Sequence, residues 1–353
     1  MKILVSALEH SANIHLKSLK KELDDDVKFV GIFDKDLGDS IIDLRALAIM
    51  GFVDAIKKLR FFFKLNSQMA DLASDVDKVL LIDSSGFNLP LAKKIKKRYP
   101  KKEIIYYILP QAWAWKQKRI PVLEKTIDHL ASILPFEKDY YSKNAPITYV
   151  GHPLLDNIKN YKNRLNPEVK NIAFMPGSRK SEIRKLMPVF KEVRQKLNIN
   201  ATIVIPNHFS KENIKELYGN LLGFDISHDA HKTLYDSDFA FICSGTATLE
   251  AALIGIPFIL SYIAKSLDYF IASRLVKLEY IGLSNIMFDK FQHRDLHPEF
   301  IQDKVTADNL IKAYKEFDRS RFLDDSKALR KYLKHGSSKT VASLLQPHKV
   351  DFL

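Results

Sequence analysis

The chain has 353 residues, enough for about two domains of ordinary size, and its 46% hydrophobic and 27% charged content is that of a soluble globular protein. The formal net charge of +13 suits polyanionic partners such as nucleic acid, an anionic membrane face or phosphorylated substrates, although a Lys-rich composition also arises from genome bias alone. The single cysteine, Cys243, excludes a disulfide framework; no run of ~18 uncharged apolar residues is available to span a bilayer, and MKILVSALEH is expected to be a first strand and not a cleavable leader.

Short β-rich runs alternate with helical patterns along the chain. MKILVSA, VKFVGIF, KVLLID and EIIYYIL occur in the first part, and NIAFMPG, ATIVIP, FAFICSG and PFILSYI in the second. Helical stretches such as Leu89–Tyr99 and Ile183–Leu197 lie between them. This alternation predicts βα units and parallel sheets. The polar, Asn-rich stretch Asp156–Lys170 contains Pro167 and precedes a fresh strand. It marks the expected join between two α/β domains, residues 1–160 and 161–325, with the basic C-terminal helix of about 326–353 packing back on the first. No internal repeat or low-complexity tract interrupts the pattern.

Four stretches of the first part carry chemistry. SALEHSANIH follows the first strand and offers Glu9, His10, Ser11 and His15. Two histidines five apart are not a metal pair by themselves, and Asp24–Asp26 reads as a solvated turn. Further on, the helical segment Ala46–Lys58 leads into LRFFFKL. Phe61, Phe62 and Phe63 cannot all face one helix core, so with Lys57, Lys58, Arg60 and Lys64 around them an interfacial membrane contact is expected. VLLIDSSGFN ends an apolar strand on Asp83, the usual place for a working carboxylate in an open α/β sheet. Capping the next turn is the rival reading. YYILPQAWAWKQKR interleaves aromatic and basic residues, as a stacking surface would, unless its tryptophans pack in the core.

Two strand–turn–helix stretches of the second part fit anions. In CSGTATLEAAL, Gly245 lets a phosphate approach backbone N–H groups, Ser244, Thr246 and Thr248 add hydroxyls, and the lone Glu250 is placed to accept from the two hydroxyls of a ribose. A capped helix start with Glu250 as capping partner competes with this. In FMPGSRKSEI, Gly177 and Ser178 form the turn and Arg179 can hold a diphosphate, unless it pairs with Glu182 three residues on. The spacing is not that of a P-loop. Together the two turns favour a nucleotide-diphosphate ligand.

At this point the residues resemble a known family, the lipid-A-disaccharide synthases. The matching stretches are LAIMGFVDAIKKL, DSSGFNLPLAKKIK, YYILPQAWAWKQKRI, LPFEKDYY, YVGHPLLD, FMPGSRKSEI, CSGTATLEAAL and YIGLSNI, in the family's order. Two departures stand out. The family's first-strand turn, usually GEASGD, keeps only Glu9 and Ser11 here, and its DxPDFN becomes DSSGFN, with Asp83 kept and the second acid replaced by Gly86.

The resemblance implies a GT-B architecture of two Rossmann-like domains facing across a cleft. It implies an inverting transfer from UDP-2,3-diacylglucosamine to 2,3-diacylglucosamine 1-phosphate, releasing UDP and giving a β(1→6) disaccharide. Asp83 is then the expected general base, with Glu9, His10 or His15 as rivals or helpers. Arg179 neutralises the diphosphate with Gly177, Ser178 and the Ser244–Thr246 turn, Glu250 binds ribose, and Asn285 approaches the donor. Gln111, Trp113 and Arg119, with His10, Ser11 and His15, line the cleft or the acceptor's path. No metal or cofactor is implied, and the basic surface with Phe61–Phe63 holds the enzyme at the cytoplasmic face of the inner membrane. A homodimer stays open. The competing readings are another GT-B enzyme acting on UDP-N-acetylglucosamine, a basic nucleic-acid-binding protein, and an inactive UDP-binding homologue.

Overall fold

The computed structural model describes residues 1–42, 44, 55–114, 116–264 and 279–346. The expected helix Ala46–Lys58 falls mostly outside them, as do Trp115 and the last residues of the chain. The chain divides into two compact units. One is Met1–Asp156 together with the C-terminal segment from Leu333, and the other is Asn157–Tyr332.

Among the described residues the first unit has seven strands: β1 (Lys2–Ser6), β2 (Lys28–Ile32), β3 (Asp39–Ser40), β4 (Lys78–Ile82), β5 (Glu103–Tyr107), β6 (His129–Ser132) and β7 (Ile147–Tyr149). They pair in the order β3-β2-β1-β4-β5-β6-β7, parallel throughout. Val5 lies between Gly31 and Leu80, which fixes the central register. Four consecutive buried residues in β1 and again in β4 reflect a sheet covered on both faces.

The covering helices are α1 (His10–Lys20), α2 (Ala55–Leu72), α3 (Ser85–Arg98), α4 (Ile120–Thr126) and α5 (Pro153–Asn157). Leu65, Met69, Leu91 and Ile95 pack on one face of the sheet, and Leu16 and Leu19 on the other.

The second unit repeats the plan with six strands: β8 (Asn171–Met175), β9 (Asn200–Val204), β10 (Asp225–Ser227), β11 (Phe239–Cys243), β12 (Phe258–Tyr262) and β13 (Glu299–Ile301). Their order is β10-β9-β8-β11-β12-β13, again parallel. The helices are α6 (Lys180–Leu197), α7 (Lys211–Tyr218), α8 (Ala230–Asp236), α9 (Thr246–Ile254), α10 (Leu283–Gln292), α11 (Ala307–Lys315) and α12 (Arg319–Leu333). The core is aromatic: Phe174 stacks on Phe241 with ring centres 5.3 Å apart.

The chain then returns to the first unit through α13 (Ser337–Leu345). Val341, Ala342 and Leu345 join the cluster of Leu16 and Leu19. Asp156 accepts the N–H groups of Gly336 and Ser338, and Tyr107 shares a 2.7 Å hydrogen bond with Ser337.

In both sheets the strand order reverses beside the first strand, between β1 and β4 and between β8 and β11. Ligands of open α/β sheets bind outside the carboxyl ends of the strands at such switch points. Four of the motifs read from the sequence follow these strands.

Candidate active site

In the first unit the switch point is bounded by the turns after β1 and β4. Asp83 and Ser84 both occupy the left-handed region, with φ of 50° and 42°. Two successive non-glycine residues there cost about 1–3 kcal/mol each and persist only where surrounding bonds impose them. Those bonds are present. The Asp83 N–H donates to the Tyr107 carbonyl at 3.1 Å. The Asp83 carbonyl accepts from the Tyr106 hydroxyl at 2.5 Å and from Asn88 Nδ2 at 2.8 Å. Asn88 is fully buried, and its Oδ1 accepts from Ser6 Oγ at 2.6 Å, which ties the β4 turn to the end of β1. Asn88 went unremarked in the sequence reading, although the N of DSSGFN stands at the same place in the resembling motif.

The result is a half-buried Asp83 carboxyl with Glu9 nearby. Burial raises the Asp83 pKa above the ordinary carboxylate value, the Glu9 charge raises it further, and the Ser84 N–H partly offsets both. Glu9 is exposed and its Oε1 accepts from Ser84 Oγ at 3.2 Å. His10 and Ser11 are exposed beside it at the start of α1.

His15 points elsewhere. Its ring lies edge-on to Tyr107, and burial pushes its pKa down to about 4. Five residues into α1 and set against Tyr107, this neutral histidine is not among the exposed side chains after β1 with which the sequence groups it.

Beside the Asp83 turn lies an open pocket of about 970 Å³. Leu89 and Val122 line it, and Lys93, Lys116, Lys118 and Arg119 carry its charge. Arg119 is half-buried and donates from Nη1 to Ser85 Oγ at 2.9 Å. Gln111 is exposed. Trp113 is 5% exposed and packs edge-to-face on Phe136 at 5.0 Å, so it is a core residue and does not line an acceptor path. The three phenylalanines also separate. Phe61 and Phe62 are half-buried against the core, and Phe62 meets Phe87 at 6.2 Å, whereas Phe63 is 62% exposed. Helical geometry turns successive side chains by about 100°, so three in a row cannot share one face.

In the second unit the turns after β8 and β11 stand side by side. Gly177 has φ of 103°, and a Cβ there would come within 2.6 Å of Glu182 Oε2 and 3.1 Å of Cys243 Sγ, so only glycine fits. Glu182 is buried and binds Arg179 twice, from the backbone N–H at 3.3 Å and from Nη1 at 2.9 Å. The ion pair weighed from the sequence is present, yet the Arg179 side chain stays 76% exposed. Ser178 is exposed as well.

Helix α9 begins at Thr246 with Gly245 as its N-cap and no side-chain cap. The Thr248 hydroxyl turns back to the Gly245 carbonyl at 2.8 Å, so the capping box with Glu250 is absent. Gly245 and Thr246 are exposed and Ser244 half-buried. An uncapped helix start presents N–H donors and positive dipole density to an anion. Glu250, half-buried, holds His231 Nδ1 at 3.2 Å, a partner that the sequence did not disclose because it comes from α8.

Asn285 is not a ligand contact. It is fully buried, its Nδ2 donates to the His297 carbonyl and Glu299 Oε1, and its Oδ1 accepts from the N–H groups of Leu296 and His297. With every hydrogen-bonding position engaged, it braces the segment before β13. The thiol of Cys243 is pushed up to about 12, by burial first and then by the Glu182 carboxylate, which disfavours the thiolate a nucleophile needs. Among the described residues no group of three or more His, Cys, Asp or Glu could hold a metal ion, and no helix is long and apolar enough to cross a membrane.

Comparison with known proteins adds the family. The family described as Lipid-A-disaccharide synthetase matches residues 3–349. Lipid-A-disaccharide synthase of Helicobacter pylori (strain ATCC 700392 / 26695) is 51% identical over 354 residues, covering 97% of each chain. That of Campylobacter jejuni (strain RM1221) is 44% identical, covering 97% of this chain and 98% of its own. Among solved structures, MurG of Acinetobacter baumannii superposes with a TM-score of 0.60 at 13% identity, covering 98% of this chain and 99% of its own. The UDP-GlcNAc 2-epimerase of Neisseria meningitidis, bound to UDP-GlcNAc, gives 0.60 at 12% identity with the same coverage. These two show the fold alone, and the family comes from the sequence match. The chain belongs to the lipid-A-disaccharide synthetase family, and it is a glycosyltransferase of GT-B fold.

Proposed function

We propose that this protein transfers the 2,3-diacylglucosaminyl group of UDP-2,3-diacylglucosamine to the 6-hydroxyl of 2,3-diacylglucosamine 1-phosphate, with inversion, giving the β(1→6) disaccharide 1-phosphate and UDP. The observation that carries this reading is Asp83, a carboxylate held in a constrained turn at a switch point, with its proton affinity raised by burial and by Glu9. A general base works best with a pKa nearer the operating pH than that of a free carboxylate.

Asp83 takes the proton of the acceptor's 6-hydroxyl as that oxygen attacks the anomeric carbon of the donor. The bond from that carbon to the UDP oxygen breaks, and its electron pair leaves with UDP. The exposed Arg179 guanidinium, Ser178 and the uncapped start of α9 at Ser244–Thr246 meet the charge that develops. Glu250, steadied by His231, accepts from the ribose hydroxyls. The first unit takes the acceptor and the second the donor. The +13 charge and the exposed Phe63 support residence on the cytoplasmic face of an anionic inner membrane.

Product analysis tests the reading. Purified protein given both substrates, with chelator and no added metal, should release UDP and form a tetra-acyl disaccharide phosphate whose new linkage is β by NMR. An α linkage would exclude single displacement, and a product of unchanged mass would exclude transfer.

A further inference from the structure

The pocket beside the Asp83 turn has no place in the transfer step just described. Its cations come from two segments: Lys93 from the third turn of α3, and Lys116, Lys118 and Arg119 from the segment before α4. Not one acidic residue is among its described lining residues. Lys93, Lys116 and Lys118 are exposed, so their charges gather at the mouth, while Leu89, which is buried, and Val122 supply an apolar wall. Its volume of about 970 Å³ is near the top of the range of ~300–1,000 Å³ for small-molecule sites. Ser85 lines the pocket and follows Asp83 by two residues, and Arg119 bonds to its hydroxyl.

We infer that this pocket is the phosphate subsite of the acceptor. Lys93, Lys118 and Arg119 gather around a sugar-bound phosphate monoester, and Leu89 and Val122 meet the first carbons of its acyl chains. The inference rests on the function proposed above. Charge complementarity selects the occupant. Of the two substrates only the acceptor ends in a phosphate monoester, which carries close to two negative charges at neutral pH. Its phosphate and its reacting hydroxyl leave the ring from the two carbons that flank the ring oxygen. A cation cluster for the one must therefore lie near the base for the other, and Ser85, two residues beyond Asp83, lines the pocket and takes the Arg119 hydrogen bond. The pocket thus determines specificity, because it selects a phosphorylated acceptor and presents its far hydroxyl to Asp83.

The test compares kcat/KM for the acceptor with and without its 1-phosphate, in the wild type and in the double variant Lys93→Ala/Lys118→Ala, whose two positions are exposed and tolerate alanine. The wild type should prefer the phosphorylated acceptor, and the variant should lose about 10-fold or more of that preference, the scale of one charge-assisted contact. An unchanged preference overturns the inference. Calorimetric titration with decyl phosphate provides a readout that needs no turnover. Binding to the wild type, weakened in the variant, supports the subsite, and equal binding to both refutes it. If the variant keeps its acceptor preference but loses sedimentation with phosphatidylglycerol vesicles, the patch serves the membrane surface and the inference fails. A wild type that binds decyl phosphate but transfers nothing would sink the proposed function and leave the anion subsite standing.

Discussion

Ser84 Oγ donates to Glu9 Oε1 across 3.2 Å, which joins the turn after β4 to the turn after β1. This contact sets the charge environment of Asp83, since Glu9 is the second contribution after burial to its raised pKa. Asp83→Asn keeps the residue type that best tolerates the left-handed region, so the turn should survive while the base is lost. The expected result is a fall in kcat of ~10²–10⁴ with UDP affinity unchanged. A matching loss of UDP binding would assign Asp83 a structural role.

The pH profile follows with a fixed sign. As the proposed base Asp83 acts ionised, so kcat/KM should fall as pH drops through its pKa, which burial and Glu9 raise above the ordinary carboxylate value. Glu9→Gln keeps an acceptor for Ser84 and removes the like charge. The acidic limb should then move to lower pH. A limb that stays in place or moves upward would show that Glu9 does not act on Asp83.

Arg179 is held by a buried Glu182 yet remains mostly exposed. Arg179→Ala should lower kcat by ~100-fold or more, the loss typical of one preorganised charge stabiliser, and Arg179→Lys should restore part of it. Steady-state rates within a few-fold of wild type for the alanine variant would remove Arg179 from the reaction.

For Asn285 the expectation is structural. Truncation to alanine leaves the N–H groups of Leu296 and His297 without their acceptor, a cost of about 3 kcal/mol by denaturant unfolding. The folded fraction should bind UDP as wild type does. Unaltered stability with lost UDP binding would return Asn285 to the donor site.

Glu137 is buried and its pKa is raised to about 7. Burial is the cause, partly offset by the Ser132 hydroxyl, and the Oε1 atom finds no partner among the described residues. Below its ordinary value of 4.5 the carboxyl is protonated in the folded and the unfolded chain alike. As pH rises toward 7 the unfolded chain ionises first and stability is lost, by up to about 3 kcal/mol. Glu137→Gln keeps the acceptor for Ser132 and should flatten this loss. Parallel Tm profiles for the two proteins between pH 4.5 and 7 would refute the assignment.

Of the three phenylalanines offered for the proposed membrane contact, only Phe63 is exposed. Phe63→Ser should weaken co-sedimentation with anionic vesicles without affecting stability, whereas Phe62→Ser should destabilise the fold, because Phe62 packs on the core. Vesicle binding that is unaffected by Phe63→Ser would dismiss the contact.

The parallel sheets were legible because continuous apolar runs bounded by turn residues have few other uses, and the places of Asp83, Arg179 and Glu250 in the fold were legible because each stands in the turn or helix start that follows such a run. What escaped notice depends on elements distant in sequence. His231 reaches Glu250 from another helix, Asn88 spans two strand ends, and the cations of the pocket beside Asp83 come from two segments. Trp113 and Asn285 were misread for the same reason. Each has a polar atom and stands in a motif, and only the packing around it tells a ligand contact from a brace.

The most direct test of a single displacement driven by Asp83 is the time course of UDP release with and without acceptor. The account predicts release that depends wholly on acceptor, with no burst in its absence, and that disappears in Asp83→Asn. UDP released at a comparable rate without acceptor would contradict it.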